Sequence, residues 1–430
     1  MYQPPAAALR LTQYWPRRYT LILLSFAATF VCYMDRVNIS VAIIPMSAEL
    51  GWDPRTQAAV LSAFFVGYLV TQVIGGRLAD RFGGKIVLSA GVLSWSFFTL
   101  ITPWAAFGGL TALLAARVGM GVGEGVTFPS IYSLFGRWLP KEENSRAIGM
   151  VFSAIPLGSV FALLVTPIVV IHFGWPWAFF SFGAVGAIWW FFWQTRVQAD
   201  PHRHPTIADH ERAYIAAVAA TSVDAPRPPS LRTLLGHMPV WAIIVGHFCN
   251  NWGGYVLLAF MPTYITQGLG VDFASVGIFS VVPSLCSFLA LNVAGWITDR
   301  MIERGRDVTK TRKMMQTIGF GGAATTLMFV GYIHDAPTAI ALMSVGSILG
   351  ACAASGFAVN HLDIAPRYAG VLMGLSNTAG TIPGIIGINV SGWILAMTHS
   401  WTLVFQVAAG VYIFGMVFYL LFASSQRLFD

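Results

Sequence analysis

Charge is what this sequence has least of. Only 25 Lys and Arg and 18 Asp and Glu occur in 430 residues, 10% of the chain, where soluble domains carry about a quarter. With 56% of residues hydrophobic and a mean hydropathy of +0.68, a water-soluble globular fold is excluded and a polytopic membrane protein is implied. Cysteine is scarce as well. Cys32, Cys249, Cys286 and Cys352 all fall in apolar stretches, so neither a disulfide framework nor a thiolate metal site follows, and packing is their expected role. No Ser/His/Asp, metal-spaced His or phosphate-loop arrangement appears, which argues against an intramembrane enzyme and leaves no cofactor or metal to place. Long polar stretches are equally rare. Residues 197–238 form the only one, too short for a recognisable signalling domain, which weighs against a non-transporting anion sensor. Within it His202, His204 and His210 read as solvated linker rather than metal ligands, and TIADHERAYIAAV reads as an amphipathic helix capped by Thr206 with Asp209.

What is present is apolar and periodic. Windows of about 20 apolar residues give twelve helices, near 19–45, 57–79, 86–106, 110–134, 147–171, 178–196, 239–266, 274–298, 314–333, 338–360, 370–396 and 402–424. The net charge of +7 does not signal a nucleic-acid partner, because its placement follows membrane topology. With a cytoplasmic N-terminus, 22 of the 25 Lys and Arg fall on cytoplasmic loops or termini, Arg36 and Arg117 lie within helices, and only Arg55 is external. That satisfies the positive-inside rule, and the opposite orientation violates it. Trp15, Arg17 and Arg18 suit an interfacial anchor, and no cleavable signal or transit peptide is recognised ahead of the first span.

The few charges inside spans therefore carry the functional information. In RVGMGVGEGVTFP, Arg117 and Glu124 are seven residues apart, so they share a helix face about 10 Å along the axis. Each costs about 2.5 to 3.5 kcal/mol at mid-bilayer. Gly119, Gly121, Gly123 and Gly125 let neighbouring helices approach closely, and a water-accessible cavity between helices is the cheapest explanation. Asp35 and Arg36 are adjacent in YMDRVNIS and point about 100° apart. One lines the cavity while the other meets a neighbouring helix, either in a structural ion pair with the fourth span or in binding and coupling. The second half offers neutral polar groups instead: Asn250, Asn251, Trp252 and Tyr255, then Asn360 and His361, then Ser376, Asn377 and Thr378. Together these argue for a membrane transport protein with fixed charge at its centre.

A further motif, GRLADRFGGK at 76–85, places Gly76, Asp80, Arg81, Gly83 and Lys85 in a tight charged turn after the second span. A comparable turn recurs after the eighth span in GWITDR, with Gly295, Asp299 and Arg300. Asp80 and Asp299 are separated by about half the chain, the internal symmetry expected of two six-helix halves around a midplane site. The pattern G-x-L-A-D-R-x-G-x-K resembles the loop signature of the major facilitator superfamily. That resemblance implies an all-α membrane protein of twelve transmembrane helices in two pseudo-symmetric six-helix bundles. Its segments are a cytoplasmic N-terminus at 1–18, bundles at 19–196 and 239–424, a cytoplasmic linker at 197–238 and a cytoplasmic C-terminus at 425–430. It also implies a gating latch built from Gly76, Asp80, Arg81, Asp299 and Arg300.

Longer stretches narrow the resemblance. MDRVNISVAIIPMS, GVGEGVTFPS, NNWGGYVLLAFMPTY, RKMMQTIGF and NHLDIAPRYAGVLMGLSNTAG at 360–380 resemble the anion:cation symporter branch, which includes type I sodium/phosphate cotransporters, sialin, vesicular glutamate and plant plastid phosphate transporters, and bacterial sugar-acid symporters. The resemblance implies proton-coupled symport of a small anion, an organic or sugar acid or inorganic phosphate, with sodium coupling as the alternative. It implies that Arg36 and Arg117 face the anion, that Asp35 and Glu124 handle the proton, and that Tyr33, Tyr68 and Asn377 line the pocket. The vesicular glutamate type carries an arginine where this chain has Asn250 and Asn251, which counts against glutamate. A monomer in contact with membrane lipid, in a bacterial plasma membrane with both termini cytoplasmic, completes the expectation.

Overall fold

The computed structural model describes residues 15–139, 141–201, 204–219, 230–365 and 368–429. Every regular element among them is a helix. In the first half these are α1 (Arg17–Leu50), α2 (Pro54–Phe82), α3 (Gly84–Phe107), α4 (Leu110–Glu124), α5 (Thr127–Trp138), α6 (Lys141–Phe173) and α7 (Trp175–Arg196). Two short helices follow, α8 (Asp209–Ala219) and α9 (Leu231–Leu235). The second half contains α10 (Met238–Thr263), α11 (Val276–Glu303), α12 (Val308–Val330), α13 (Ala336–Gly350), α14 (Phe357–Ile364), α15 (Ala369–Thr398) and α16 (Trp401–Phe422).

Local chemistry explains where the helices stop. Gly51 ends α1 in the left-handed region at φ 68°, open to glycine without steric cost. Asp53 then caps α2 by accepting the Thr56 N–H at 2.9 Å, with Pro54 in the first turn, and Asp335 does the same for α13. Gly83 makes the sharp turn between α2 and α3 at φ 87°. The GRLADRF segment is accordingly the last two turns of α2 rather than a loop, and the turn is confined to Gly83.

Among the described residues seven helical stretches are long and apolar enough to cross a membrane, one of them running through α13 and α14 as Ala336–Ile364. Pairing α4 with α5, and α13 with α14, gives twelve crossings, because the shorter or more polar helices are built into the same two bundles. In the first bundle α1 packs on α6 and α7, and α3 on α4 and α7. In the second, α10 packs on α15 and α16, and α12 on α13 and α16. The outer faces are oily: Ile278, Leu289 and Leu421 are 65%, 64% and 67% exposed, tolerable only against lipid. The fourth span is broken at Gly125–Val126, directly after Glu124. The tenth is broken by a 3₁₀ turn at Ala351–Ser355.

The linker departs from expectation. Thr206 does not cap α8; its N–H meets His204 Nδ1 at 3.3 Å instead, and α8 begins at Asp209. His204 is buried edge-on to Trp138 at 5.8 Å rather than solvated, while His202 lies outside the described residues. The Glu211 carboxylate accepts the backbone N–H groups of Arg17 and Arg18 at 3.0 and 3.1 Å, so α8 caps the start of α1. The Arg18 side chain reaches both Glu211 and Glu143.

Candidate anion site

The α2–α4 crossing sets the site. Gly67 rests against the Val118 carbonyl and Gly121 against the Phe64 carbonyl, so the backbones nearly touch. This brings Arg117 and Glu124 of α4 beside Cys32, Asp35 and Arg36 of α1. Arg36 and Glu124 form an ion pair in which Nη2 and Nε lie 2.7 and 3.0 Å from one oxygen, Oε2. The cross-helix pair allowed by the sequence is therefore present. The Cys32 thiol donates to the same Oε2 at 3.1 Å. The Arg36 guanidinium is 4.5 Å from the Tyr33 ring centre and 4.7 Å from those of Phe64 and Tyr68, a seating that holds a cation in apolar surroundings.

Arg117 is treated differently. It is 2% exposed, and among the described residues no carboxylate stands within ion-pair distance of it. Its Nε donates to the Val60 carbonyl at 3.4 Å, and Nη1 lies 3.0 Å from the Met120 sulfur. Asp35 is also buried, beside the Trp95 indole of α3, which interacts with its carboxyl without a well-formed hydrogen bond, and no cation pairs with it.

The second bundle closes over this cluster. Tyr255, Leu258, Ala259 and Ile388 face Arg36, Arg117, Phe64 and Phe65 across a void of about 20 Å³, room for about one water molecule. Tyr255 packs against Phe65 with ring centroids 4.5 Å apart and planes tilted by 51°. Further from the basic loops, Asn389 donates to the Ser62 hydroxyl at 2.8 Å, Gly392 sits against Pro54 and Ala58, and Gly277 against Leu163. Towards the basic loops the last bond joining the bundles is Thr381 to Gln72 at 3.2 Å, among the described residues. The bundles are thus sealed on the face away from the basic loops.

Arg36, Arg117, Glu124, Tyr33 and Tyr68 are brought together, with Asp35 behind them. Asn377 is not part of the cluster. It lies one turn before Thr381 on α15, level with the basic side of Gln72, because α15 runs away from the site in that direction. The latch residues stand apart. Gly76 faces open space rather than a close crossing, Arg81 lies over Phe82 and Arg300 over Trp296 on their own helices, and Asp299 is exposed. The Asp80 side chain is outside the described residues.

Sequence reasoning passed over His247. The Ser376 hydroxyl bridges its Nδ1 at 3.1 Å and His361 Nε2 at 2.8 Å, and Asn251 donates to the Gly380 carbonyl at 2.8 Å. An ionisable residue within the apolar run IIVGHFC was the available signal.

Two packed helical bundles with lipid-facing flanks and a charged centre define a multi-pass membrane transporter. The Major Facilitator Superfamily model matches residues 25–388, and the chain belongs to that superfamily. It is 43% identical over 427 residues to the Arabidopsis thaliana protein named sodium-dependent phosphate transport protein 1, chloroplastic, covering 99% of this chain and 83% of that protein. It is 42% identical to the chloroplastic ascorbate transporter of the same plant, covering 97% and 77%, and 35% identical to Ovis aries sialin, covering 95% and 90%. These relatives fit the anion:cation symporter branch. Among solved structures, a bacterial homolog of the human lysosomal transporter Spinster, inward-facing and unoccupied, superposes with a TM-score of 0.78 at 15% identity, covering 95% of this chain and 97% of that one. A D-xylose–proton symporter does so at 0.73 and 14%, covering 95% and 99%; both bear on the fold alone. The plant relatives are named chloroplastic, so the expected bacterial plasma membrane finds no support in them.

Proposed function

We propose that this protein is a secondary active transporter that carries a small anion, an organic or sugar acid or inorganic phosphate, in symport with protons by alternating access, as a monomer. The observation that carries the reading is the buried Arg117, a cation with no carboxylate partner, beside an Arg36 whose charge is already matched by Glu124. An anion is drawn to Arg117, and a unit charge 4 Å from a guanidinium gains about 4 kcal/mol at an effective dielectric of 20. Glu124 repels it by a similar amount. Protonating Glu124 removes that repulsion and frees Arg36 to turn to the anion, so proton and anion load together. Asp35, buried beside the Trp95 indole with no cation paired to it, is the second proton carrier. Tyr33 and Tyr68 orient the arginine. The contracted void must widen to admit the anion as the bundles rock, with Gly76, Asp80, Arg81, Asp299 and Arg300 latching the basic face in the opposite state. Both termini on the cytoplasmic side follow from the basic loops.

The names of the phosphate and ascorbate relatives support a small anion. In proteoliposomes, Glu124→Gln is expected to abolish uphill uptake driven by a pH gradient while substrate exchange persists; unchanged uphill uptake refutes the assignment. Sodium coupling is favoured by one observation, the sodium-dependent phosphate relative at 43% identity. Replacing external sodium with choline at a fixed pH gradient separates the two: loss of uptake selects sodium.

A further inference from the structure

Cys32 has no part in the scheme above, yet it touches the centre of it. Among the described residues it is the one cysteine whose sulfur contacts a charged side chain, with Glu124 Oε2 at 3.1 Å and Arg36 Nη2 at 3.8 Å. The carboxylate is loaded unevenly. Oε2 receives three donors, Arg36 Nε, Arg36 Nη2 and the thiol, while Oε1, buried as deeply, receives none. A proton arriving at Glu124 therefore has one open oxygen, and it adds at Oε1 without displacing either neighbour.

We infer that Cys32 is a positioning residue for proton exchange at Glu124: its thiol holds Oε2 against Arg36 and favours the ionised carboxylate, so it sets the pH at which Oε1 takes its proton and Arg36 is released. This rests on the proton-coupled reading given above. A donor to the charged form favours that form, and a thiol is a weak donor, so the effect is a tuning rather than a switch. The thiol keeps its own hydrogen throughout; one O–H bond forms at Oε1, and the proton comes from water admitted when the bundles rock apart. The other titratable groups that interact with Glu124 are Asp35 and Arg36 on α1, Tyr68 on α2 and Arg117 on α4, while Tyr33 on α1 and Tyr255 on α10 face Arg36. None of them presents a donor to Oε2 except Arg36. The stripe Cys32–Arg36 is one helical turn, so the cysteine and the arginine approach the carboxylate from the same helix, and the register of α1 fixes both.

The full-length protein in liposomes, with inorganic phosphate as the probe, tests this through Cys32→Ala and Cys32→Ser. Uptake that needs protonated Glu124 falls as pH rises. Loss of the thiol donor favours the acid form, so Cys32→Ala moves the midpoint of that fall upward by about half a pH unit, roughly threefold in proton affinity. Cys32→Ser, which keeps a donor, stays at the wild-type midpoint or below it. A purely structural role would lower the rate in both variants and move neither midpoint. A second readout needs no transport: the infrared S–H stretch that Cys32→Ala removes is expected to shift as the wild type is acidified, and not to shift in Glu124→Gln. An unmoved midpoint in Cys32→Ala, an equal upward shift in both variants, or an S–H band indifferent to Glu124→Gln overturns the inference. If the wild type shows no proton-driven uptake of phosphate or any organic acid while the band still follows Glu124, the symport reading falls and the thiol–carboxylate contact stands.

Discussion

Gly121→Ala tests whether the α2–α4 crossing holds the charged cluster together. A Cβ at this position would overlap the Phe64 carbonyl and stand 2.8 Å from the Tyr68 nitrogen, about 0.7 Å inside the roughly 3.5 Å at which non-bonded heavy atoms rest. Both neighbours are backbone, so no rotamer change relieves the contact and α4 must move. Alanine is favoured over glycine in a helix by up to about 1 kcal/mol, whereas overpacking a close crossing costs about 1 to 3 kcal/mol. The loss wins, by up to about 2 kcal/mol. The geometric effect is larger than the energetic one. Arg117 lies one turn before Gly121 and Glu124 one turn after, so α4 carries both away from Arg36, and a misplacement of about 1 Å can cost about a hundredfold in rate. The expected outcome is at least a tenfold loss of anion exchange in proteoliposomes with a modest fall in melting temperature. Gly149→Ala, where the added carbon meets nothing within 4 Å, is the matched control and keeps wild-type exchange. A Gly121→Ala protein with wild-type exchange and melting temperature would refute the claim that this crossing positions the site.

Two further outcomes follow from the same structure. Asn389→Ala removes the Asn389–Ser62 bond across the sealed face; such bonds are worth about 0.6 kcal/mol in a membrane, roughly a threefold shift in population. Spin labels at Phe82 and Trp296, on exposed basic-side ends of α2 and α11, report it as a larger fraction of short distances, and an unchanged distribution shows that the bond does not hold the face shut. Asp53→Ala removes the α2 cap and lowers stability by about 1 kcal/mol. The Thr56 N–H and hydroxyl hold the Asp53 carboxyl below the usual carboxylate range, so this stability is present above the unfolded value near pH 4 and is lost as pH falls through the lower folded value. Melting curves of wild type and variant should therefore converge on acidification, and a constant gap contradicts the assignment.

The bundle architecture was legible because lipid demands long apolar runs, and the charged residues stood out because guanidinium and carboxylate groups are rare in those runs. Arg117, Glu124, Asp35 and Arg36 needed only that contrast. What the sequence hid were contacts between helices and breaks within them. The break after Glu124 falls where Gly125 and Val126 keep helical backbone angles, and Pro129, which cannot donate back to the Gly125 carbonyl, marks it only as a kink within one span. The resemblance implies Asn377 in the pocket; its height along α15 relative to the charged cluster depends on the stagger between α15 and α2, which spacing within one helix does not encode. His247 was overlooked because a single imidazole in an apolar run carries less contrast than a guanidinium.

The charge balance of the cluster connects these points. If Asp35 carries its proton, as the proposed cycle has it, Arg36 and Arg117 against Glu124 leave one uncompensated positive charge in a buried, nearly dry site, a state that costs free energy until an anion cancels it. On the proposed cycle a monovalent anion cancels it with Glu124 still ionised, and proton transfer to Glu124 raises the site to two positive charges. A divalent anion, such as hydrogen phosphate or a diacid, is matched only in that protonated form. Coupling strength then depends on the charge of the cargo: divalent anions demand the proton at Glu124, whereas monovalent ones can exchange without it. The same arithmetic fits a second bundle that contributes tyrosine, amides and a hydroxyl-bridged pair of imidazoles to this region, because a third cation at the site would leave the emptied, occluded state with still more uncompensated buried charge.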